Sequence, residues 1–299
     1  MIEIDLIRHV KVLGKPALYG HTDVLPTPQE NARLLKRLVA QQQTANAYQC
    51  IISSPLIRCQ YLAKAFADKC QLPLTIVAQL KEMNFGHFDG TPFDDLYFDG
   101  SSVDDSVTHD LSAKGEMNRN VKVCAQQKHE QQVNVQKSSV QQGNGQKPEL
   151  KWSEIERFFE APAEVLLPEA ESLSDFNQRI TRAWQKLVEQ QISIAMTQQT
   201  SKKPQRILVV AHGGVIRMIL AHILTLDWQQ SSWHQKLHIG YGSLSRISIS
   251  LPYQKTKGES QPTSNKGIEP LLGDPLQQQR YNQLHQQVTS IAMPFIEGF

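Results

Sequence analysis

The stretch Leu6-Ile7-Arg8-His9 decides how this chain is read. It closes a short apolar run that starts at Ile2 and Ile4, and it sets an arginine beside a histidine where a strand should end. Far downstream a second apolar run, Ile207-Leu208-Val209-Val210-Ala211, ends in His212-Gly213-Gly214 and passes into a helix-like segment. Two strand-end histidines with an adjacent arginine suggest a phosphate site in which one imidazole is the nucleophile. An isolated Arg-His pair would carry little weight, because strand ends often hold polar residues for solubility.

The signal comes from what lies between. Ser53-Ser54-Pro55-Leu56-Ile57-Arg58 follows the apolar Cys50-Ile51-Ile52 and opens a helical pattern, and Leu80-Lys81-Glu82-Met83-Asn84-Phe85-Gly86 follows a β-like run from Leu74 to Val77. These strand ends present Arg8, His9, Arg58, Glu82 and His212, and in α/β sheets ligands gather at the carboxyl ends of strands.

Taken together, these four ordered segments resemble the histidine phosphatase superfamily, in its phosphoglycerate mutase-like branch. Arg8 and His9 match the RHG motif, Ser53 to Arg58 the SSPLxR segment, Leu80 to Gly90 the LxExxFGxxxG segment, and His212 to Gly214 the HGG motif. Leu18-Tyr19-Gly20-His21-Thr22-Asp23-Val24 looks like the YGxTDV segment of a subgroup that contains α-ribazole phosphatases and fructose-2,6-bisphosphatase-like proteins. The chain departs from the pattern at Val10, where the family has glycine, and at Ala170, where glycine usually precedes Glu-Ser. Glycine allows close approach or unusual dihedrals, so Val10 is expected to bear on loop shape and substrate fit.

The resemblance implies a three-layer α/β/α sandwich with a mostly parallel central sheet. It implies phosphomonoester hydrolysis through a phosphohistidine on a small phosphorylated metabolite, with α-ribazole 5'-phosphate as one candidate. The residue types suit that chemistry. Arginine's planar fork neutralises and orients a phosphoryl dianion, which makes Arg8 and Arg58 the candidates for that task. A neutral imidazole can attack phosphorus if a hydrogen bond to its other nitrogen sets the tautomer, and His9 is that candidate. Glu82, beside Met83 and Phe85, is the expected general acid if its surroundings favour the protonated form. His212 would add a donor to the transferring group. Substrate contacts are expected from Arg8, Arg58, Tyr19, Gly20, His21, Thr22 and Gly213. Two other readings remain open: a phosphoglycerate mutase, and a non-catalytic phospho-ligand binding protein.

No metal and no other cofactor is expected, because no HExxH or comparable ligand spacing occurs. Cys50, Cys59, Cys70 and Cys124 lack CxxC spacing and read as free thiols. A net charge of +2 gives no nucleic-acid footprint. No apolar run approaches the roughly 20 residues of a membrane helix, so a membrane partner is not expected. The first strand begins without a signal-peptide pattern, and a cytoplasmic location is the expectation.

Strand-like and helix-like runs alternate along the chain. Helices are expected over 27–42, over 55–70, through Phe176 to Leu187 after a cap at Ser172 or Ser174, and from Val215 to Leu224, with a later strand at Leu244 to Ile249. The catalytic domain should cover residues 1–250, with a Gln-rich surface insertion at about 99–150 whose composition buries too little to offset ordering entropy. Residues 251–299 read as an extension, and Leu276, Tyr281, Leu284, Val288 and Ile291 suggest a helix at 275–292. Such a helix could dock on its own domain or on a partner, which leaves a homo-oligomer open. His87, His109, His129, His222, His234, His238 and His285 have no motif support.

Overall fold

The computed structural model describes residues 1–97, 150–197, 204–250 and 284–295. The Gln-rich segment, Cys124 and the stretch 251–283 lie outside them. Six strands form one sheet: β1 (Ile2–Arg8), β2 (Cys50–Ser53), β3 (Leu74–Ile76), β4 (Gln205–Ala211), β5 (Ser243–Ser250) and β6 (His285–Pro294), in the order β3-β2-β4-β1-β5-β6. The β1–β4, β2–β4 and β2–β3 pairs are parallel, and β5 runs antiparallel to both β1 and β6.

Both faces of the sheet are covered, as parallel strands require. Ile2, Ile4 and Leu6 of β1 and Ile207, Val209 and Ala211 of β4 point into one core, which holds Phe176, Ile180 and Trp184 of α4 (Leu173–Thr197) and Val215, Ile216 and Ile219 of α5 (Gly213–Ile223). The alternate residues Ile7, Leu208 and Val210 join a second core with Leu34 and Leu38 of α1 (Pro28–Gln42) and Leu62 and Phe66 of α2 (Ile57–Cys70). Each fully buried Leu, Ile or Phe contributes about 1.5–3 kcal/mol of hydrophobic stabilisation, so the two cores lock β1 and β4 in register. The remaining helices are α3 (Trp152–Glu160), whose Trp152, Ile155 and Phe158 are buried, and the short α6 (Ser231–Lys236).

The expected helices and strands up to residue 250 are present. Pro28 opens α1 and fixes its first turn, as the Thr27-Pro28 signal predicts. Ser172 Oγ accepts the Asp175 N–H at 3.0 Å, which identifies it as the cap of α4. Asp23 Oδ1 accepts the Ile57 N–H at 2.7 Å and so supplies α2 with a cap from a distant loop.

The C-terminal segment requires a correction. The helix expected at 275–292 is not found where it can be tested, because His285–Pro294 is a strand. Its pairing with β5 satisfies backbone groups along an otherwise free edge, and Val288 and Ala292 pack against the first core. The apparent helical spacing of Leu284, Val288 and Ile291 yields to this tertiary pairing. Thus the sheet extends beyond residue 250, into the region read from sequence as an extension.

Candidate functional site

Arg8 ends β1, His9 follows it, and His212 follows β4 at the N-cap of α5. The β1–β4 register aligns Arg8 with Ala211, and the His9 N–H donates to Ala211 O at 3.0 Å. The two imidazoles therefore meet, with ring centroids 5.2 Å apart and edge-to-face. His9 is 6% exposed and His212 is fully buried.

A neighbouring backbone group fixes the tautomer of His9. Its Nδ1 lies 2.7 Å from Val10 O, and a carbonyl can only accept, so Nδ1 carries the proton and Nε2 keeps its lone pair. Burial, and then the charges of Arg58 and Arg8, hold the His9 pKa well below the usual histidine value, which keeps the ring neutral. Val10 itself is buried with Ile7 and Leu34 and is not among the residues with positive φ. The valine thus fits without backbone strain where the resemblance led to glycine.

His212 is oriented from both sides. Arg58 Nε donates to its Nδ1 at 3.2 Å, so its Nε2 carries the proton and donates to Ser54 Oγ at 2.7 Å. Burial, Arg58 and His9 lower its pKa well below the ordinary value. Both histidines are therefore neutral, and the positive charge of the site comes from guanidinium groups.

Arg58 is 1% exposed. Its Nη1 donates to Thr22 O at 3.0 Å, and its Nη2 donates to Tyr19 O at 2.9 Å and Gly20 O at 2.7 Å. The same loop is held from its other side by Asp89, which accepts the N–H groups of Gly20, His21 and Thr22 at 3.2, 2.6 and 2.9 Å. A Cβ on Gly20 would lie 2.1 Å from Met83 O, so only glycine fits there. Tyr19 OH donates to Lys15 O, whereas His21 Nε2 is buried without a partner. Within the expected binding segment, the backbones of Tyr19, Gly20 and Thr22 mainly position the loop. Among the side chains of this segment, His21 Nε2 and the exposed Thr22 hydroxyl have no hydrogen-bond partner among the described residues.

Glu82 reaches the same place from the segment after β3. Its Oε1 accepts the Met83 N–H at 3.1 Å and its Oε2 accepts the Gly214 N–H at 3.0 Å, in the first turn of α5. A Cβ on Gly214 would meet Glu82 Oε1 at 2.3 Å, and one on Gly213 would press on Arg8 Nε at 3.3 Å. The two glycines therefore let the helix terminus approach both the Glu82 carboxyl and the Arg8 guanidinium. Arg179 holds the Glu82 segment by donating to the backbone oxygens of Gln79, Lys81 and Glu82, while its fork grips Glu171 at 2.8 and 2.7 Å.

The structure adds residues that the motifs did not reveal. The Arg8 guanidinium lies 3.8 Å over the Tyr241 ring, whose centroid is 5.6 Å from that of His9. Arg8 Nη1 donates to Ile239 O, Gly242 N–H donates to Arg8 O at 3.1 Å, and Arg217 Nε donates to Leu237 O at 3.0 Å. Burial, with Arg8 nearby and Glu82 partly offsetting it, lowers the Arg217 pKa to about 10. Tyr241 carries no local sequence signal, and Asp89 could have been suspected only from its place within the Leu80 to Gly90 block. Cys50, Cys59 and Cys70 are free, and no group of three or more metal-ligating side chains clusters among the described residues.

Fold and site together define an α/β sandwich in which a neutral, tautomer-fixed imidazole stands among guanidinium groups at the strand ends. The chain belongs to the histidine phosphatase superfamily (branch 1), whose family model matches residues 4–117 and 144–255. Over 98 residues it is 35% identical to proteins described as probable phosphoglycerate mutases from Yersinia pestis and Yersinia pseudotuberculosis. That match spans 32% of this chain and 45% of the relative, less than half of the latter's length. A mycobacterial glucosyl-3-phosphoglycerate phosphatase has a similar fold, with TM-score 0.57 and 13% identity over 98% of this chain and 99% of that one. The α-ribazole phosphatase of Shigella flexneri aligns with TM-score 0.50 and 19% identity over 83% of this chain and 91% of that one.

Proposed function

We propose that this protein is a phosphomonoester hydrolase that works through a phosphohistidine on His9. The observation that carries this reading is the Nδ1–Val10 O bond of 2.7 Å, which leaves Nε2 as the attacking atom of a ring kept neutral by burial. In the first step Nε2 bonds to phosphorus while the bond to the leaving oxygen breaks in line. Arg8 and Arg58 carry the charge that balances the phosphoryl oxygens. Arg58 brings its charge mostly through the field, since His212 and the loop carbonyls take most of its donors, whereas Arg8 Nε is buried without a partner.

Glu82 gives its proton to the leaving alkoxide. In the second step water attacks phosphorus, Glu82 takes a proton from it, and phosphate leaves as His9 is restored. His212 stands edge-on to His9 as a neutral ring, its one N–H given to Ser54 Oγ, and helps to place His9 and Arg58. Tyr241, packed on Arg8 and beside His9, and His21, whose Nε2 has no partner, are the side chains we assign to the leaving group, and a metal ion has no assigned step.

The test is trapping. Rapid quenching without acid, with a labelled substrate, should leave a base-stable, acid-labile adduct on the peptide containing His9. His9→Ala should remove both adduct and turnover, and full activity in that variant would sink the mechanism. It would also separate catalysis from simple phospho-ligand binding.

For the substrate we propose a small phosphorylated metabolite. The Tyr19 to Val24 segment favours α-ribazole 5'-phosphate by resemblance. The partial match to proteins described as probable phosphoglycerate mutases supports the alternative of phosphoryl return to a bound acceptor. Incubation with phosphoglycerates, scored for isomer against free phosphate, distinguishes the two. We place the protein in the cytoplasm on the strength of its sequence, and no described helix is long and apolar enough to cross a membrane.

A further inference from the structure

A second group of guanidinium side chains lies toward the opposite end of the parallel strands from His9. Arg206, the second residue of β4, and Arg246, in the middle of β5, both donate to the buried carboxylate of Asp5, at 3.3 Å from Arg206 and at 2.7 and 3.0 Å from Arg246. Tyr48 OH donates to the same carboxylate at 2.7 Å, and Arg206 also lies 3.4 Å from Glu3. Arg37, exposed on α1, joins Arg206 and Arg246 around an open cavity of about 380 Å³ with Thr44, Asn46 and Phe295 in its walls. The space is a groove open to solvent, with room for a small ion.

Three guanidinium groups face two carboxylates here, which leaves one positive charge unbalanced. Arg206 is buried, and its Nε has no hydrogen-bond partner. The cavity is lined by guanidinium groups in excess of the carboxylates that face them, and an oxyanion there answers that charge. Arg37 is held over the Phe295 ring at 5.2 Å, so one part of the site is already ordered. The last turn of α1 also lines the cavity through Ala40 and Gln41, whose carbonyls already accept the N–H groups of Gln43 and Thr44 at 3.2 and 3.0 Å, which tempers their opposition to an anion.

We propose that this cavity is a second binding site, separate from the His9 site, for a small oxyanion carrying a phosphate or carboxylate group. Arg206 and Arg246 form its floor, already oriented by Asp5, and Arg37 closes its rim. Asp5 lies on β1 three residues before Arg8, so the two sites share a strand while facing different ligands.

Equilibrium dialysis of the full chain with labelled orthophosphate, and separately with labelled acetate, tests the proposal. Phosphate should fill two sites in the unaltered protein, of which Arg8→Ala removes one. Arg37→Gln should weaken the other by about tenfold and leave turnover unchanged, because Arg37 touches nothing in the catalytic machinery. Acetate binding that depends on Arg37, without a second phosphate, identifies a carboxylate ligand and still supports the site. A single phosphate site removed by Arg8→Ala, with no Arg37-dependent acetate binding, overturns the proposal. So does a second site indifferent to Arg37→Gln.

Discussion

In the amino half of β1, Asp5 accepts bonds from Arg206, Arg246 and Tyr48, so guanidinium charge there is met largely by carboxylate. Three residues further on, Arg8 and Arg58 have backbone carbonyls, a neutral imidazole and an aromatic face as partners. No carboxylate among the described residues lies within ion-pair distance of either. Buried charge without a counter-ion is expensive, so a fold that keeps it has left room for an anion from outside. The first region uses Arg206 and Arg246 to tie strands together and leaves only Arg37 without a carboxylate among the described residues, whereas the second leaves both of its arginines without one.

The largest expected effect lies at the carboxyl end. Glu82→Gln keeps shape and polarity but cannot deliver a proton, and turnover of an alkyl phosphate should fall by about 10²–10⁴-fold. An aryl phosphate, whose leaving group needs little protonation, should lose less. Equal losses on the two substrates would remove Glu82 as proton donor and leave it only its bond to the Gly214 N–H.

At the amino end the effect should be on stability. Asp5→Ala leaves Arg206 buried against an empty space, and breaking a buried pair costs about 3–5 kcal/mol. The lower part of that range is expected, because the Arg246 side chain is 33% exposed. The urea midpoint should drop with the m-value unchanged, while the folded fraction turns over normally. A loss of turnover at unchanged stability would mean that the two ends of β1 are not independent.

The pH dependence of stability sharpens the contrast. His9 and His212 have folded pKa values well below 6.5, so below pH 6.5 the unfolded chain binds protons that the folded chain refuses. Their contribution is complete above that pH and is lost as pH falls from 6.5 toward the lowered values. Each histidine should contribute a slope of about 1.4 kcal/mol per pH unit in that window. Urea titrations at several pH values should show this slope, and His212→Asn should remove one share of it. An unchanged slope in that variant would mean that His212 is not held neutral.

The smallest effect concerns Tyr241, which touches Arg8 through its ring face. Tyr241→Ala should lower kcat/KM by about 3- to 30-fold, in line with a cation–π contact of about 0.5–2 kcal/mol, while Tyr241→Phe keeps most of it. If phenylalanine behaves like alanine, the hydroxyl is the working group and the contact with Arg8 is incidental.

Much of this was legible beforehand. The runs ending at Arg8 and Ala211 implied adjacent strand ends, and the structure pairs those two residues directly. His9, Glu82, Arg8, Arg58 and His212 converge as their motifs implied. Tyr241 and Arg217 escaped because one sits in an unpatterned loop and the other on an apolar helix, where nothing local marks a neighbour of Arg8. The segment at 285–294 misled because Leu284, Val288 and Ile291 satisfy a helical period while their neighbours complete a strand against β5.

By itself, then, the sequence determined the five strands up to residue 250, the four helices that follow the motifs and the residue types at the strand ends, because apolar period and capping chemistry are written locally. It did not determine α3 or α6. Only the tertiary structure decided which nitrogen of His9 carries its proton, how Arg58 divides its donors between His212 and the 19–22 loop, and that β6 closes the sheet. Each of these depends on groups brought together by packing across the fold. A hydrogen bond's partner is set by where both ends finally lie, and no short stretch of chain records that.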